Sequence, residues 1–581
     1  MLKSNDKQFT MRNMKKNRLK NWVLYRGLDM LPGIFTWVSF LGILAGGYYV
    51  PAITAYVIIC FNVFWVIKAF GYFRHFFISY FFWRAWQIIN WEDALKNLRS
   101  KEEILSFLNE EYKRCKECSL QEYYDNNHII PSFWKLPYWL ESIFLAIQRV
   151  VTIGTLKKEA ERLLVTPDEE IIYNVDNLTH FVIFPFATEP FSVLNRSVKK
   201  LSEQTFNKKQ IVLVLGAEEA CPTGREVGAR IMKAYQGIFK DVIMTHHELK
   251  PDEIRGKAAN MWYAATQVDK YVKERKINKE MITITSCDCD SQFPPEYFTV
   301  LTYQFCTSPE KYTVYWNGGM TFYANVWKLP FYLRVVSTTT SIGSFTKLSD
   351  KGLIQVSTYS ASYKLVESIG FWTKTIIPED WNMFFKAVFK YGKRVKTIPL
   401  YLRIMSDSPE GSGHVNSFVN QYEQIKRWAW GVSDIPWVIR SIFSMGKLKF
   451  NDRIYVLKRA FICVRDHQLW PLYAFVLAFG ANIPPLFNKS FSATSFGVLL
   501  PKVSSLILSF SSIMGFVLLL VDATMKPKPI QKYNFGGHVL YLLQFVISPV
   551  VGILFGSLPA LDSHTRLLIG KRLEYRVTEK K

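Results

Sequence analysis

Apolar positions in this chain follow two regimes. Toward both ends, uncharged stretches run to membrane length; in the middle, short apolar runs alternate with amphipathic segments. Three C-terminal runs, 469–487, 503–521 and 533–561, contain no Asp, Glu, Lys or Arg. Uncharged runs of about 18 residues or more argue for membrane spans rather than buried helices of a soluble domain. A fourth run, 31–67, is about twice the length one helix needs to cross a bilayer. Gly46, Gly47 and Pro51 interrupt it, which predicts two helices joined by a tight turn. It is too long for a cleaved signal peptide, and no small-residue cleavage site follows a short core.

Between these blocks the pattern changes twice. Residues 71–165 mix aromatic and basic side chains. Phe73 to Phe77 and Trp83 to Trp86 read as interfacial helix, with rings at headgroup depth and cations snorkelling. Residues 101–116 read as a charged, solvated helix. From His180 on, the apolar stretches 180–185, 210–215, 241–245 and 282–286 predict buried strands. Helical segments 190–204, 224–235 and 254–272 separate them. Strands alternating with helices imply a mostly parallel sheet covered on both faces, with ligands at the carboxyl ends of its strands. Further units follow: 311–316 and 373–377 as strands, 357–367 and 380–391 as helices.

Charge then narrows the class. The 581 residues exceed one ordinary core, and 72 Lys and Arg against 48 Asp and Glu give a net charge of +24. Lys3, Lys7, Arg12, Lys15, Lys16, Arg18, Lys20 and Arg26 all precede the first span. This is the positive-inside pattern; it puts the N-terminus in the cytosol and attracts anionic headgroups. Lipid contact accounts for the charge better than nucleic acid does, so membrane lipids are expected partners and nucleic acid is not. Arg566, Lys571, Arg572, Arg576, Lys580 and Lys581 place the tail inside as well. Three spans after a cytosolic domain would place it outside, so either the Pro549 region is re-entrant or a further crossing lies within 491–500. Of eight cysteines, Cys115 and Cys118 form one CxxC with no second pair nearby, short of the four ligands of a structural zinc site.

Four polar segments carry the candidate chemistry. Asp288 and Asp290, two apart after a buried strand, offer hard oxygens to a divalent cation on a diphosphate; strand alternation would aim them the same way. A solvated acidic turn is the plainer alternative. Glu379-Asp380 opens a helix and is either a cap or a general base. Lys257, in Gly256-Lys257-Ala258-Ala259-Asn260, sits near a helix start that suits phosphate, or is a surface lysine. Gln424, Arg427 and Trp428 share one helical face, where Arg suits a diphosphate and Trp a sugar ring. They could equally be interfacial anchors, together with Lys426, Trp430 and Trp437.

Together these segments resemble membrane-embedded family 2 glycosyltransferases, similar to the processive β-glycosyltransferases that include cellulose, chitin and hyaluronan synthases. That group's pattern is Asp-x-Asp, Glu-Asp or Thr-Glu-Asp, and Gln-x-x-Arg-Trp, flanked by transmembrane helices; here it matches Asp288-Cys289-Asp290, Pro378-Glu379-Asp380 and Gln424 to Trp428. The resemblance implies an α/β GT-A-like fold inserted between N- and C-terminal transmembrane helices, a nucleotide-sugar donor, and Mg²⁺ or Mn²⁺ at Asp288 and Asp290. It implies inversion with Asp380 as base beside Glu379. Glu189, Glu218, Lys257, Asn260 and Asp288 would bind the donor, and Gln424, Arg427 and Trp428 the acceptor and pyrophosphate. The acceptor would be a polysaccharide or a lipid-linked glycan, and the processive and single-transfer readings both stay open.

The implied layout is a basic cytosolic N-terminus (1–30), a transmembrane helical hairpin (31–70), interfacial and connector helices (71–175) and a GT-A domain (176–405). Interfacial helices with Gln-x-x-Arg-Trp (406–465), a transmembrane region (466–561) and a basic tail (562–581) follow. The expected location is the inner or plasma membrane, multi-pass, with the catalytic domain cytosolic. The tail from Tyr575 to Lys580 resembles the Phe-x-Val-Thr-x-Lys gating loop of cellulose synthases, with Tyr for Phe. Two departures stand out. Gly216-Ala217-Glu218-Glu219 replaces the usual Asp pair after the second strand, and Pro378 replaces Thr. The altered nucleobase position leaves an alternative: a non-catalytic membrane partner that retains a nucleotide-sugar-binding fold. A transporter is disfavoured, because the spans hold almost no ionisable residues apart from His538.

Overall fold

The computed structural model describes residues 18–119, 122, 137–443, 448–529 and 533–573. The basic cluster from Lys3 to Lys16 and the tail from Tyr575 to Lys580 lie outside them. The described residues form two compact units, one gathering 18–60, 422–504 and 552–573, the other 61–421 and 505–551. Among the described residues, six helical segments are long and apolar enough to cross a membrane: Arg26–Tyr49, Pro51–Trp86, Trp139–Val165, Phe450–Phe487, Ser495–Ala523 and Phe535–Ile569. Many of their apolar side chains are exposed, among them Val38, Val57, Ile67, Leu506 and Ile513, as a lipid-facing surface requires.

In the first unit, helix Arg18–Tyr49 meets the start of helix Pro51–Trp86 at a one-residue break, Val50. Polar groups tie its helices internally. Thr36 Oγ1 lies 2.8 Å from His564 Nδ1, and the Gln468 amide donates to Thr36 Oγ1 and to the Pro32 carbonyl, both at 2.9 Å. Arg26 donates to the Leu567 carbonyl at 2.9 Å, adding to the backbone cap at Gly570.

The second unit is built on a seven-stranded sheet. Its strands are β1 (Thr179–Phe186), β2 (Ile211–Glu218), β3 (Asp241–His247), β4 (Ile282–Ser286), β5 (Val314–Thr321), β6 (Tyr359–Ser362) and β7 (Lys396–Met405). Their order is β3-β2-β1-β4-β6-β5-β7. All neighbours are parallel except β6, which runs antiparallel to β4 and β5. β1 is buried along its whole length, as a strand covered on both faces must be. The first four strands and the helices Phe191–Ser202, Pro222–Ala234 and Lys257–Glu274 follow the sequence pattern closely.

Three segments differ from it. Residues 357–367 were expected as helix, but Tyr359–Ser362 is a strand wedged between β4 and β5, and the helix begins only at Tyr363. Four residues of small and aromatic type give too short a period to tell the two apart. Residues 373–377 form a turn and not a strand. No sheet edge is offered there: Trp372 is buried with Nε1 donating to the Tyr359 hydroxyl at 2.9 Å, and the Lys374 carbonyl accepts from Ile254 N–H at 2.9 Å. The aromatic-basic segment 73–86 is the end of the long helix Pro51–Trp86 rather than a separate interfacial helix. Phe76, Tyr80 and Trp83 are buried there in one apolar cluster with Phe345, Leu518 and Val521. Strand β7 has no counterpart in the sequence reading; Pro399 falls inside it, tolerated because β7 is an edge strand.

The uncharged run 503–521 stops at Asp522, and the structure gives that residue a partner. Asp522 and Lys526 are both buried; they pair with each other, and the Tyr323 hydroxyl donates to Asp522. Lys526 Nζ also lies 4.5 Å above the Tyr323 ring centroid. Removing one member of a buried pair leaves the other charge uncompensated. Lys526→Met should therefore destabilise the detergent-solubilised protein by about 3–5 kcal/mol. An unchanged thermal midpoint in that variant would contradict the pairing.

Candidate active site

β4 ends at Ser286, and the next residues turn at the carboxyl edge of the sheet. Cys287 anchors the turn: it is fully buried, and its Sγ and N–H both reach the Ile183 carbonyl of β1, at 3.1 and 3.4 Å. Burial pushes its thiol well above the ordinary cysteine value, so it packs as a neutral group. The strand does not persist past it, since Ser291 N–H turns back to the Asp288 carbonyl at 3.0 Å. The two aspartates accordingly engage different groups instead of pointing alike. Asp290 is fully buried, with Oδ2 accepting the Asp407 N–H at 2.7 Å; Asp407 in turn pairs with Arg196. Asp288 is about a third exposed and faces Lys257, whose Nζ lies 2.9 Å from its Oδ1.

Lys257 is the first residue of helix Lys257–Glu274. Its ammonium reaches three oxygens: Asp288 Oδ1 at 2.9 Å, Glu379 Oε1 at 2.9 Å and the Ser357 carbonyl at 2.8 Å. Glu379 and Asp380 sit at the start of helix Asp380–Tyr391. Glu379 supplies no side-chain cap hydrogen bond, so the plain capping role fails for it. Asp380 Oδ2 accepts the Ser357 N–H at 2.8 Å, and the Ser357 hydroxyl donates to Asp288 Oδ2. Three carboxylates, one ammonium and one serine thus form a single hydrogen-bonded chain.

The electrostatics follow from that crowding. Burial opposes the Lys257 charge, but Asp288, Glu379 and Asp380 outweigh it and raise its pKa well above the lysine value. Burial raises Glu379 to about 7; Lys257 pulls it back and Asp380 pushes it further up. Asp380 is raised too, mainly by burial, against the opposing effects of Lys257 and the Ser357 N–H. An acid poised near neutrality is what proton transfer at ordinary pH requires.

The remaining residues expected on the donor side have other partners. The Glu218 carboxylate, at the end of β2, lies 3.1 and 3.2 Å from His247 Nδ1, and Glu253 lies 2.9 Å from Nε2. Burial opposes protonation of His247, but the two glutamates outweigh it and raise its pKa. Asn260 is buried, and its amide donates to the Gly216 carbonyl at 2.9 Å, which fixes the end of β2. A Cβ on Gly216 would stand 2.7 Å from Asn260 Oδ1, so glycine is needed for this approach. Glu189 Oε2 accepts the Ala187 N–H at 2.7 Å in the loop after β1. In the other unit, Gln424 is buried on helix His414–Ala429, with Arg427 and Trp428 half-buried on it. Lys426 between them is buried and pairs with Glu423 at 2.5 Å and Asp562 at 3.4 Å, so it is not a snorkelling anchor.

Among the described residues, no group of three His, Cys, Asp or Glu side chains stands ready to hold a metal. The donor set still fits a magnesium-like ion, which takes one or two carboxylates and the rest of its shell from phosphates and water. Asp288 is the more exposed of the two aspartates, and Asp290 is fully buried. Sequence reasoning missed Ser357, Asp407 and His247. No residue-type signal marks Ser357, whose role comes from backbone geometry.

Residues 283–521 match the family described as glycosyl transferase family group 2. No curated protein matches the chain. Among solved structures, the mannosyltransferase PcManGT from Pyrobaculum calidifontis, in complex with GDP-Man and Mn²⁺, is similar at 13% identity and TM-score 0.38, covering 60% of this chain and 86% of that one. S. aureus TarS 1–349 in complex with UDP-GlcNAc is similar at 14% identity and TM-score 0.31, covering 58% of this chain and 91% of that one.

The Lys257 contacts have a measurable consequence. With Glu379 near 7 in the native state and near 4.5 unfolded, the folded protein holds the extra proton between those values, so this group's contribution to stability falls as pH rises through that window. Lys257→Met removes the cation that offsets the charge. The variant should lose about 3–5 kcal/mol at pH 8 and much less at pH 5, read from thermal unfolding. Equal losses at both pH values would contradict the arrangement.

Proposed function

We propose that this chain, whose residues 283–521 match glycosyl transferase family group 2, moves a sugar, with inversion, from a nucleoside-diphosphate sugar to a polysaccharide or lipid-linked acceptor at the cytosolic membrane face. The single observation that carries this is the chain Asp288–Lys257–Glu379 closed through Ser357 onto Asp380. It supports a donor phosphate site beside a raised-pKa base. The acceptor O–H attacks the anomeric carbon, the new C–O bond forms as the bond to the diphosphate breaks, and the leaving electron pair goes to the diphosphate. The acceptor proton goes to Asp380.

Lys257 meets the charge that develops on the diphosphate, where a fixed cation already sits in a buried setting. Asp288, backed by Asp290, would hold Mg²⁺ or Mn²⁺, which supplies further charge neutralisation to the leaving group. Glu218, Glu189 and Asn260 are assigned to the donor side, Glu218 and Glu189 as ligands and Asn260 as the group that fixes β2. Gln424, Arg427 and Trp428 are assigned to acceptor and pyrophosphate on their motif alone. Six candidate spans and the basic residues before the first support a multi-pass protein of the inner or plasma membrane.

Asp380→Asn should cut sugar transfer by roughly 10²–10⁴-fold while the protein still folds. Full activity in that variant would remove Asp380 as base. The transfer rate should also fall on acidification, with an apparent pKa above the ordinary carboxylate range. Glu379→Gln should move that acid limb to lower pH, because it removes a neighbouring negative charge and leaves Lys257 in place. An acid limb that stays put would contradict the coupling of the two acids.

A further inference from the structure

We propose that Ser357 is a positioning residue that locks the donor-side carboxylate Asp288 and the base Asp380 into one register, through the crossbar segment 355–358. This rests on the transferase reading above and adds a residue to it. Ser357 uses all three of its polar groups on the site: N–H to Asp380 Oδ2 at 2.8 Å, hydroxyl to Asp288 Oδ2, and carbonyl to Lys257 Nζ at 2.8 Å. Its φ is +59°, in the left-handed region that non-glycine residues seldom occupy. That conformation is maintained against its cost by the surroundings, a pattern that clusters at functional sites.

The neighbours supply the restraint. The Gln355 amide donates to the Asp380 carbonyl at 3.2 Å, and its Oε1 accepts from Thr397 of β7 at 3.0 Å. Val356 N–H donates to Asn317 Oδ1 of β5 at 3.0 Å. The Thr358 hydroxyl lies 2.7 Å from that of Ser291, in the turn carrying both aspartates. Four successive residues are therefore pinned to four different pieces of the site: the base helix, β5, β7 and the aspartate turn. The bonds from Ser357 and Lys257 take two of the roughly four lone-pair sites on the Asp288 carboxylate.

The test is calorimetric titration of the full-length protein with UDP and, separately, GDP, each in the presence of Mn²⁺, for wild type, Ser357→Ala and Ser357→Gly. It is paired with thermal unfolding and with kcat and donor KM for a nucleotide-sugar that the wild type turns over. Both variants keep the N–H that meets Asp380 and lose the hydroxyl that aims Asp288. Nucleotide affinity should weaken roughly tenfold in both, the scale of a lost hydrogen bond to a charged group. Donor KM should rise by more than kcat falls, at a nearly unchanged melting midpoint. Affinity within twofold of wild type in both variants overturns the proposal, and so do kcat and KM losses that track melting in parallel. A wild type that binds neither UDP nor GDP overturns the transferase reading along with it, which separates the two failures.

Discussion

The site depends on one ion cluster: a single ammonium, Lys257, shared by Asp288, Glu379 and, at longer range, Asp380. Crowding three acids into one place is unfavourable unless a cation or protons balance them. Lys257 supplies the cation, and Glu379, raised to about 7, is the acid that holds a proton near neutrality. Everything nearby is arranged to keep that balance. Helix Lys257–Glu274 presents the lysine from its first turn, the turn after β4 presents Asp288, and Glu379-Asp380 present the acids from the start of the next helix. Ser357 spans the gap between them. On the proposed function, a ligand that brings negative charge together with a divalent cation would fit this arrangement.

This balance explains why the sheet is built as it is. The antiparallel strand β6 fills the space between β4 and β5, and the segment just before it becomes the crossbar. The Lys374 carbonyl in the 373–377 turn accepts a hydrogen bond from the chain just ahead of Lys257. Its side chain pairs with Asp252 at 2.8 Å and Glu253 at 3.2 Å, joining the His247 cluster to the loop that leads to Glu379 and Asp380. The same unit carries the buried Asp522–Lys526 pair at the end of helix Ser495–Ala523. Buried charge thus occurs twice in this unit, at the end of a membrane-length helix and in the Lys257 cluster.

Much of this was legible in the chain, for physical reasons. Buried parallel strands draw on apolar and β-branched residues, so β1, β2 and β4 announced themselves. Asp288, Asp380 and Lys257 stood at strand or helix ends in an order that pointed to one site. What stayed hidden depends on tertiary context. Tyr359–Ser362 is too short for its period to be read. Lys426 reads as a membrane anchor until Glu423 and Asp562 are seen beside it. Ser357 owes its role to a left-handed backbone conformation, and Asp290 owes its burial to a turn that breaks strand alternation. Gln424 and Trp428 keep their motif, but their chemistry is not written in the burial of one helix.

The most direct test is sugar transfer by the purified protein in lipid nanodiscs, using a panel of labelled nucleoside-diphosphate sugars with and without Mn²⁺ or Mg²⁺. The account predicts that at least one donor labels a glycan or lipid product, that EDTA abolishes the labelling, and that added divalent ion restores it. Absence of product from every donor, in protein that binds nucleotide and unfolds cooperatively, would contradict it.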